Sequence, residues 1–376
     1  MAELLKNVYD QQFLEPFTEA VTQVIPNFDR AAYINAIFDD EWPGKELKQR
    51  MRHLAVTLHA YLTDDFEQNA TLLIDIVRQL RSNGIKENSF EYMFLPDYIE
   101  VYGTDHQEAS IQAMEYITQF TSCEFAVRPF ILRYPEVMVN QLLQWAHHEH
   151  PMVRRLASEG SRPRLPWAIA IPAFKKDPGD VIPILEQLND DESESVRRSV
   201  ANNMNDIAKD NPDVVIHLAK KLFGKSKTTD WVVKHGCRTL LKQGNPEIMP
   251  LFGFASSGNI EIKQLEIKTP SVAIGYDLSF SFDLINKDTA PQLIRLEYAI
   301  YFMKANGNLS RKVFKISERE YDGDSMTHIT RQQPFKLITT RKLYPGLHQV
   351  AVIVNGRETE KKDFQLIMEQ PKSQQG

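Results

Sequence analysis

The chain has 376 residues, of which 42% are hydrophobic and 25% charged, a balance typical of a globular protein with more than one domain. Its sequence has no apolar run near the ~20 residues that cross a bilayer, so a membrane-spanning helix is not predicted. The net charge of −6 argues against a strongly basic nucleic-acid-binding protein, but this average conceals an uneven distribution.

The charge changes sign along the chain. Residues 1–149 carry 11 Lys and Arg against 23 Asp and Glu, whereas residues 150–244 carry 16 against 12 and residues 245–376 carry 17 against 15. A positive middle segment in an acidic protein predicts a local anion-binding surface, although chance segregation would give the same counts.

Cysteine content and the N-terminus favour a cytoplasmic protein. Cys123 and Cys237 are far apart and form no CxxC motif, which argues against a disulfide framework and a thiolate metal site. The histidine-rich run at 147–150 (HHEH) predicts no metal site, since neighbouring residues on a helix point in different directions. The first residues, MAELLK, lack the basic start and apolar middle of a signal peptide. The sequence contains no GxGxxG, Walker, GxSxG or HExxH motif.

The first 245 residues have the pattern of helices. Apolar segments with a helical period, such as 54–62 and 71–77, alternate with short breaks that contain Pro, Gly, Asn or Asp. An internal repeat begins at residues 153 (VRRLASE), 196 (VRRSVAN) and, more weakly, 233 (VKHGCRT). Spacings of 43 and 37 residues are typical of two-helix HEAT-type repeats, which stack into a solenoid with a concave face.

The helical period assigns a buried stripe and a polar strip to these repeats. The predicted buried residues are Val153, Leu156, Ala157, Val196, Val200, Met204, Ile207, Val233, Cys237, Leu240 and Leu241. The polar residues that fall on other faces are Arg155, Glu159, Arg162, Arg198, Asn202, Asn205, Asp206, His235, Arg238 and Lys242. Because equivalent helices stack, this strip suits contacts with DNA phosphates; a solvated face with local ion pairs, such as Arg155 with Glu159, is the alternative interpretation.

The loop at 160–167 (GSRPRLPW) follows the helix that carries Glu159. Its two prolines stiffen the chain, and Arg162 and Arg164 indicate a phosphate clamp. Trp167 is predicted to begin the next helix. Its ring is then either a core anchor between repeats or an aromatic face for a deoxyribose or base beside Glu159.

From about residue 260 the apolar period changes to two. Alternating apolar residues at 278–284, 294–302 and 350–354 predict strands, and Asn355-Gly356 is a hairpin-turn signal. We therefore predict an all-α HEAT-like repeat solenoid over residues 1–255, a small all-β immunoglobulin-like sandwich over 256–369 and a disordered tail at 370–376.

Three segments together resemble a known family. Residues 121–130 (TSCEFAVRPF), 156–167 (LASEGSRPRLPW) and 196–206 (VRRSVANNMND) are similar to the AlkC branch of the bacterial DNA alkylation repair glycosylases, which share HEAT-like repeats with their AlkD relatives. The resemblance covers about residues 1–245. Some AlkC members add an immunoglobulin-like domain, which agrees with the strand pattern.

The resemblance implies an activity and a partner. It implies hydrolysis of the N-glycosidic bond of cationic alkylated bases, chiefly 3-methyladenine and 3-methylcytosine, in double-stranded DNA. It also implies a monofunctional enzyme that leaves an abasic site and uses no metal and no cofactor. Apart from the resemblance, we expect a cytoplasmic monomer that is associated with the bacterial nucleoid when bound to DNA. AlkD-type relatives can act on a base that is still stacked, so a deep pocket is not required.

The resemblance also gives roles to individual residues. Glu159 is the first choice for the carboxylate that stabilises an oxocarbenium-like transition state. Glu124 and Asp206 match acidic positions of the family, and Trp167 would pack on the target sugar. The residues expected to bind DNA are Arg155, Arg162, Arg164, Arg198, His235, Arg238 and Lys242. The alternative function is a non-catalytic HEAT-repeat scaffold that binds DNA or protein.

Overall fold

The structure, a computed structural model, describes residues 4–254, 258–337 and 342–368. The packing of its Cα atoms divides the chain into two compact units, Met1–Cys237 and Arg238–Gly376. The tail predicted at 370–376 lies outside the described residues. None of the described helices is both long and apolar enough to span a bilayer.

The described part of the first unit is helical. Its α-helices are α1 (Gln11–Val24), α2 (Arg30–Ile37), α3 (Leu47–His59), α4 (Phe66–Ser82), α5 (Phe94–Tyr102), α6 (Gln107–Ile117), α7 (Val127–Arg133), α8 (Pro135–Trp145), α9 (Pro151–Gly160), α10 (Pro172–Lys176), α11 (Ile182–Leu188), α12 (Glu194–Ile207), α13 (Pro212–Leu222) and α14 (Lys227–Gly236). Short 3-10 helices lie at Leu5–Val8, Trp42–Gly44 and Phe90–Met93. Local sequence explains many helix starts: α8, α9, α10 and α13 begin at a proline, whose fixed φ suits the first helical position.

The helices of the repeat region pack in pairs. Helix α8 packs against α9, α11 against α12 and α13 against α14, while α12 contacts both α9 and α14. The predicted buried stripes are confirmed, because every predicted member is at most 1% exposed. In the third copy the helix breaks at Cys237, and the following residues form the separate helix α15 (Arg238–Gln243). This region is therefore a repeat-like row of helices.

The first arginine of each Val-Arg-Arg copy stabilises the turn before its own helix. Arg154 donates to the carbonyls six and five residues before it, at 3.0 and 2.7 Å, and Arg197 makes the same two contacts at 2.5 and 2.9 Å. Arg154 also pairs with Asp191 at 2.6 Å. The second arginine of each copy, Arg155 or Arg198, does not make these contacts with the preceding turn. Sequence similarity between the copies thus reflects one structural contact used twice.

The second unit begins with two short helices and continues as strands. Helices α15 and α16 (Ile248–Leu251) precede β1 (Ile260–Ile267), β2 (Ser271–Ala273), β3 (Asp277–Asn286), β4 (Gln292–Met303), β5 (Leu309–Tyr321), β6 (Ser325–Pro334), β7 (Gly346–Val354), β8 (Arg357–Glu358) and β9 (Lys362–Ile367). One sheet has the order β1-β3-β6. The other has the order β2-β9-β7-β4-β5, with β8 paired to β7. The β2–β9 pair is parallel and the other pairs are antiparallel.

The predicted strand pattern is confirmed in the core of this unit. The alternating residues of β3, β4 and β7, among them Phe280, Leu296 and Val352, are buried in one apolar cluster. Asn355 and Gly356 have φ values of 47° and 80° and form the predicted turn between β7 and β8. The chain therefore ends in an immunoglobulin-like pair of sheets.

The boundary between helices and strands does not coincide with the boundary between the two compact units. The predicted boundary at 255 follows secondary structure, whereas the compact units divide after Cys237. A Cβ atom on Gly244 would lie 2.6 Å from the carbonyl oxygen of Gly356, so the segment after α15 runs directly against the β7–β8 turn. The short helices at 238–251 therefore pack with the strands.

Candidate functional site

Three adjoining hollows on the first unit share their walls and form one groove. Glu124 lines the first and second hollows, Glu159 the first and third, and Arg155 the second and third. The first hollow has a volume of about 340 Å³, and its apolar wall contains Leu47, Met51, Phe90, Met93, Phe125 and Leu165. Carboxylates therefore lie where an apolar hollow meets a polar one. We call these three hollows the groove.

Glu159 and Asp206 lie in the last turns of α9 and α12, where the helix dipole disfavours an anion. One buried guanidinium compensates both. Nη1 of Arg162 donates to Oε1 of Glu159 at 2.6 Å, while its Nε and Nη2 lie 2.8 Å from Oδ2 of Asp206. Burial alone would lower the pKa of Arg162, but the charges of Glu159 and Asp206 outweigh it and raise that pKa.

This arrangement changes the role expected of Arg162. Its side chain is only 9% exposed and its guanidinium is held by two carboxylates, so the predicted phosphate clamp is wrong for this residue. Asp206 is buried as well, and its second oxygen accepts from Lys209 at 2.8 Å. Arg162 therefore lines the first hollow as the shared partner of Glu159 and Asp206.

Arg155 pairs mainly with Glu124. Its Nη2 lies 2.8 Å from Oε2 of Glu124, and its Nη1 donates to Oγ of Ser122 at 3.1 Å. The distance from Arg155 to Glu159 is 3.9 Å, so the ion pair expected from the i, i+4 spacing is the weaker one. Glu124, Arg155 and Glu159 thus form a row along the groove.

Close helix packing fixes the end of α9. A Cβ atom on Gly160 would lie 2.7 Å from Cγ1 of Val127, so a glycine lets α9 approach α7. The neighbouring Arg128 is completely buried and donates to the carbonyls of Gly160 and Arg162 at 3.0 and 2.8 Å. Burial, with the nearby charge of Arg162, lowers the pKa of Arg128 to about 10. Arg128 and the close packing at Gly160 therefore fix the backbone that follows Glu159.

Trp167 differs from both the expected position and one of its expected roles. It lies in a turn after α9, with α10 beginning five residues later, so it does not begin a helix. Its side chain is 66% exposed, which excludes a core anchor. Its φ of 66° lies in the left-handed region, which is uncommon for a residue with a Cβ atom. The indole is an exposed ring at the wall of the first hollow.

The other predicted DNA-binding residues are dispersed. Arg198 lines the third hollow, is largely exposed and pairs with Glu194. Arg164 pairs with Asp210 at 2.5 Å and is 39% exposed. His235 stacks on Trp231 in α14, with 5.2 Å between ring centroids. Arg238 and Lys242 belong to α15 in the second unit and do not line the described hollows.

Two family models and a relative match this chain. The family model described as a DNA alkylation repair enzyme matches residues 102–247, and the model described as the C-terminal Ig-like domain of uncharacterised protein YhaZ matches 261–368. YhaZ of Bacillus subtilis (strain 168), described as uncharacterized, is 42% identical over 363 residues, which cover 96% of this chain and 99% of that protein.

A solved structure also matches nearly the whole chain. The alkylpurine DNA glycosylase AlkC of Pseudomonas fluorescens, bound to DNA containing an abasic site analog, is 34% identical with a TM-score of 0.90. The match covers 97% of this chain and 100% of the AlkC chain. The chain belongs to the AlkC branch of the DNA alkylation repair enzymes. This family membership confirms the resemblance seen in the sequence.

In this AlkC-type chain, sequence reasoning missed part of the groove. Lys48, Met51 and Phe90 come from the acidic first hundred residues, in which the sequence indicated no site residue. Arg128 was missed because a buried arginine that binds carbonyls has no sequence signature. The signal for Phe125 was available, because it follows Glu124 within a segment that carries the family resemblance. In the described residues no group of three or more His, Cys, Asp and Glu could hold a metal ion.

Proposed function

We propose that this protein is a monofunctional DNA glycosylase that hydrolyses the N-glycosidic bond of cationic alkylated bases, including 3-methyladenine and 3-methylcytosine. The observation that carries the proposal is the placement of Glu159, held by Arg162 at 2.6 Å, in a groove that also presents the exposed ring of Trp167. The similar AlkC protein is described as an alkylpurine DNA glycosylase, which supports the same reaction class here.

The chemistry requires little from a general acid. A base that carries a positive charge after alkylation is already a good leaving group. Bond cleavage builds positive charge on the deoxyribose, so a fixed carboxylate stabilises the transition state and can direct the attacking water. Glu159 supplies this carboxylate.

The surrounding residues divide into catalytic and positioning roles. Glu124 lies in the same groove, paired with Arg155 at 2.8 Å, and provides a second carboxylate beside the sugar. Asp206 is 2% exposed and acts through Arg162, whose fixed fork holds Glu159. Trp167 packs its ring on the sugar of the target nucleotide.

DNA binding uses the polar strip of stacked HEAT-like repeats and its concave face. Arg198 is the best placed phosphate contact, because its side chain is 61% exposed at the groove, and an exposed ion pair with Glu194 is exchanged at little cost. Arg164 is a second contact, and Arg155 a third if it exchanges Glu124 for phosphate. His235, Arg238 and Lys242 are the remaining candidates for phosphate contacts.

The partner is double-stranded DNA that carries an alkylated base, bound by one copy of the chain. The reaction needs no metal and no cofactor, as the carboxylate chemistry above supplies the required charge. Such an enzyme works in the bacterial cytoplasm, at the nucleoid.

Product analysis tests the proposal. The purified protein is incubated with methylated duplex DNA, and the released material is identified by mass spectrometry. Free 3-methyladenine together with abasic sites in the DNA is the expected result. DNA binding with a steep dependence on salt but without base release would favour the non-catalytic DNA scaffold, and a slope near zero would favour a protein-binding scaffold.

A further inference from the structure

One buried side chain connects the two ends of the loop that carries Trp167. Arg128 is completely buried, and it donates to the carbonyls of Gly160, Arg162 and Ile169 at 3.0, 2.8 and 2.6 Å. The first two carbonyls lie at the start of the loop and the third lies after Trp167. Arg128 therefore ties the two ends of the loop together and fixes its base.

The tip of this loop has a backbone hydrogen bond from Ala168 to the Leu165 carbonyl at 3.3 Å and one further contact from outside the loop. Trp167 has a left-handed backbone and a largely exposed ring, so neither conformational preference nor burial of the ring holds it in place. The backbone oxygen of Trp167 accepts a hydrogen bond from Nζ of Lys48 at 2.8 Å. Lys48 belongs to α3 and lies 119 positions before Trp167 in the chain.

Lys48 is exposed, and its ammonium also contacts the wall of the groove. Its ammonium lies 4.7 Å from the ring centroid of Phe125, which follows Glu124. The ammonium therefore bridges an aromatic wall residue and the peptide of Trp167. This contact joins the acidic N-terminal part of the chain to the loop at the groove.

We propose that Lys48 is a positioning residue for Trp167, fixing the peptide of the exposed indole so that the ring stays presented to the groove. The proposal rests on the proposed function in one respect, namely that Trp167 acts on the target nucleotide. It predicts that the charge of Lys48 serves the geometry of Trp167 rather than binding of DNA phosphates.

Kinetics of a double-mutant cycle test this role. Lys48→Met keeps the aliphatic chain and removes the donor, Lys48→Arg restores a donor, and Lys225→Met is a matched control at an exposed lysine that lines none of the described hollows. In single turnovers at saturating enzyme, Lys48→Met should lower the rate of base release on the order of tenfold, the scale of one lost hydrogen bond to a charged group. Lys48→Arg should recover most of the rate, and Lys225→Met should keep it.

The Trp167→Ala background separates positioning from phosphate binding. If Lys48 acts through Trp167, Lys48→Met has no further effect on the rate in that background. A full additional loss there would overturn the proposal. It would also be overturned if Lys48→Met left the rate unchanged while weakening DNA binding and reducing the salt slope by about one, the behaviour of a phosphate contact.

A spectroscopic measurement tests the contact without catalysis. Trp42 and Trp145 are buried, so in a Trp231→Phe background acrylamide quenching of the fluorescence reports mainly on Trp167. Lys48→Met should change the quenching constant and lower the fluorescence anisotropy, whereas Lys225→Met should leave both unchanged. Unchanged fluorescence in Lys48→Met would overturn the proposal. Absence of base release by the wild-type protein would instead count against the proposed function, and this measurement would remain decisive for the contact.

Discussion

At the scale of single residues, the groove depends on how buried charges are balanced. Arg162 lies between Glu159 and Asp206, both at helix ends that disfavour an anion, and Lys209 reaches the second oxygen of Asp206 from the surface. Removal of the central cation would leave two buried carboxylates without their main partner. The carboxylate of Glu159 is held in place because Arg162 is itself held by Asp206.

Arg162→Met should therefore destabilise the protein severely. Breaking a buried ion pair on one side costs about 3–5 kcal/mol in free energy of unfolding, because an uncompensated charge remains buried. Urea denaturation measures the change. The control is Arg164→Met, which removes an exposed arginine paired with Asp210 and should change the unfolding free energy far less. Equal effects of the two variants would contradict this description of the cluster.

A buried histidine makes the β unit sensitive to acid. His348 is completely buried among Phe302, Phe335 and Phe364, and burial lowers its pKa despite the opposing hydrogen bond with the Tyr344 carbonyl. In the unfolded chain the imidazole has its ordinary pKa of about 6.5, so below that pH the unfolded chain binds a proton more readily than the folded one. The stabilisation that His348 provides above that pH is therefore lost as the pH falls toward the lowered pKa of the folded protein.

Urea denaturation between about pH 7 and about pH 5 checks the sign of this effect. The unfolding free energy of the wild-type protein should decrease on acidification, and His348→Phe should show a smaller decrease. His328→Gln is the control, because His328 is 63% exposed. An unchanged pH dependence in His348→Phe would count against a neutral buried imidazole.

The sequence predicted the location of several groove residues better than it predicted the contacts that each one makes. Glu159, Glu124 and Arg155 were placed together by helical period and family resemblance, and the structure brings them together along the groove. Arg162 was misread because an arginine in a loop has the same signature whether it binds phosphate or a buried carboxylate. Trp167 was expected to begin a helix, but the turn region after α9 continues to Ile171 and α10 begins only at Pro172.

At the scale of secondary-structure elements, the end of α9 matters most because it carries Glu159. Helical period predicted its buried face correctly, since Val153, Leu156 and Ala157 are fully buried. The approach of α9 to α7 could not be predicted, because it depends on the absence of a side chain at Gly160 opposite Val127. Such contacts between elements leave no periodic signal in one sequence.

Gly160→Ala should push α9 away from α7. The added Cβ atom would lie 2.7 Å from Cγ1 of Val127, and overpacking of this kind costs about 1–3 kcal/mol in unfolding free energy. Thermal or urea denaturation measures this loss. Val127→Ala in the same chain should recover part of it by making room, and Gly44→Ala, with open space around the position, is the control. A neutral Gly160→Ala variant would show that the two helices are not held at this distance.

At the scale of the whole molecule, the change of period near residue 260 was sufficient to predict helices followed by an immunoglobulin-like domain. The packing division after Cys237 was not predicted, because the contact between Gly244 and Gly356 joins distant parts of the sequence. The charge distribution along the sequence also did not indicate which segments line the groove. The acidic first part of the chain contributes Lys48, Phe90 and other lining residues to it.

The most direct test of the proposed function compares two glutamates of the groove. Glu159 is held by the buried Arg162, whereas Glu194 is 66% exposed and pairs with Arg198 at the surface. Single-turnover release of 3-methyladenine from methylated duplex DNA is measured for the wild-type protein, Glu159→Gln and Glu194→Gln, alongside binding to an abasic-site analogue. We predict that Glu159→Gln lowers the rate by about 10²–10³-fold while DNA is still bound, and that Glu194→Gln keeps nearly the wild-type rate. Wild-type release by a folded Glu159→Gln protein would contradict the assignment of Glu159 as the catalytic carboxylate.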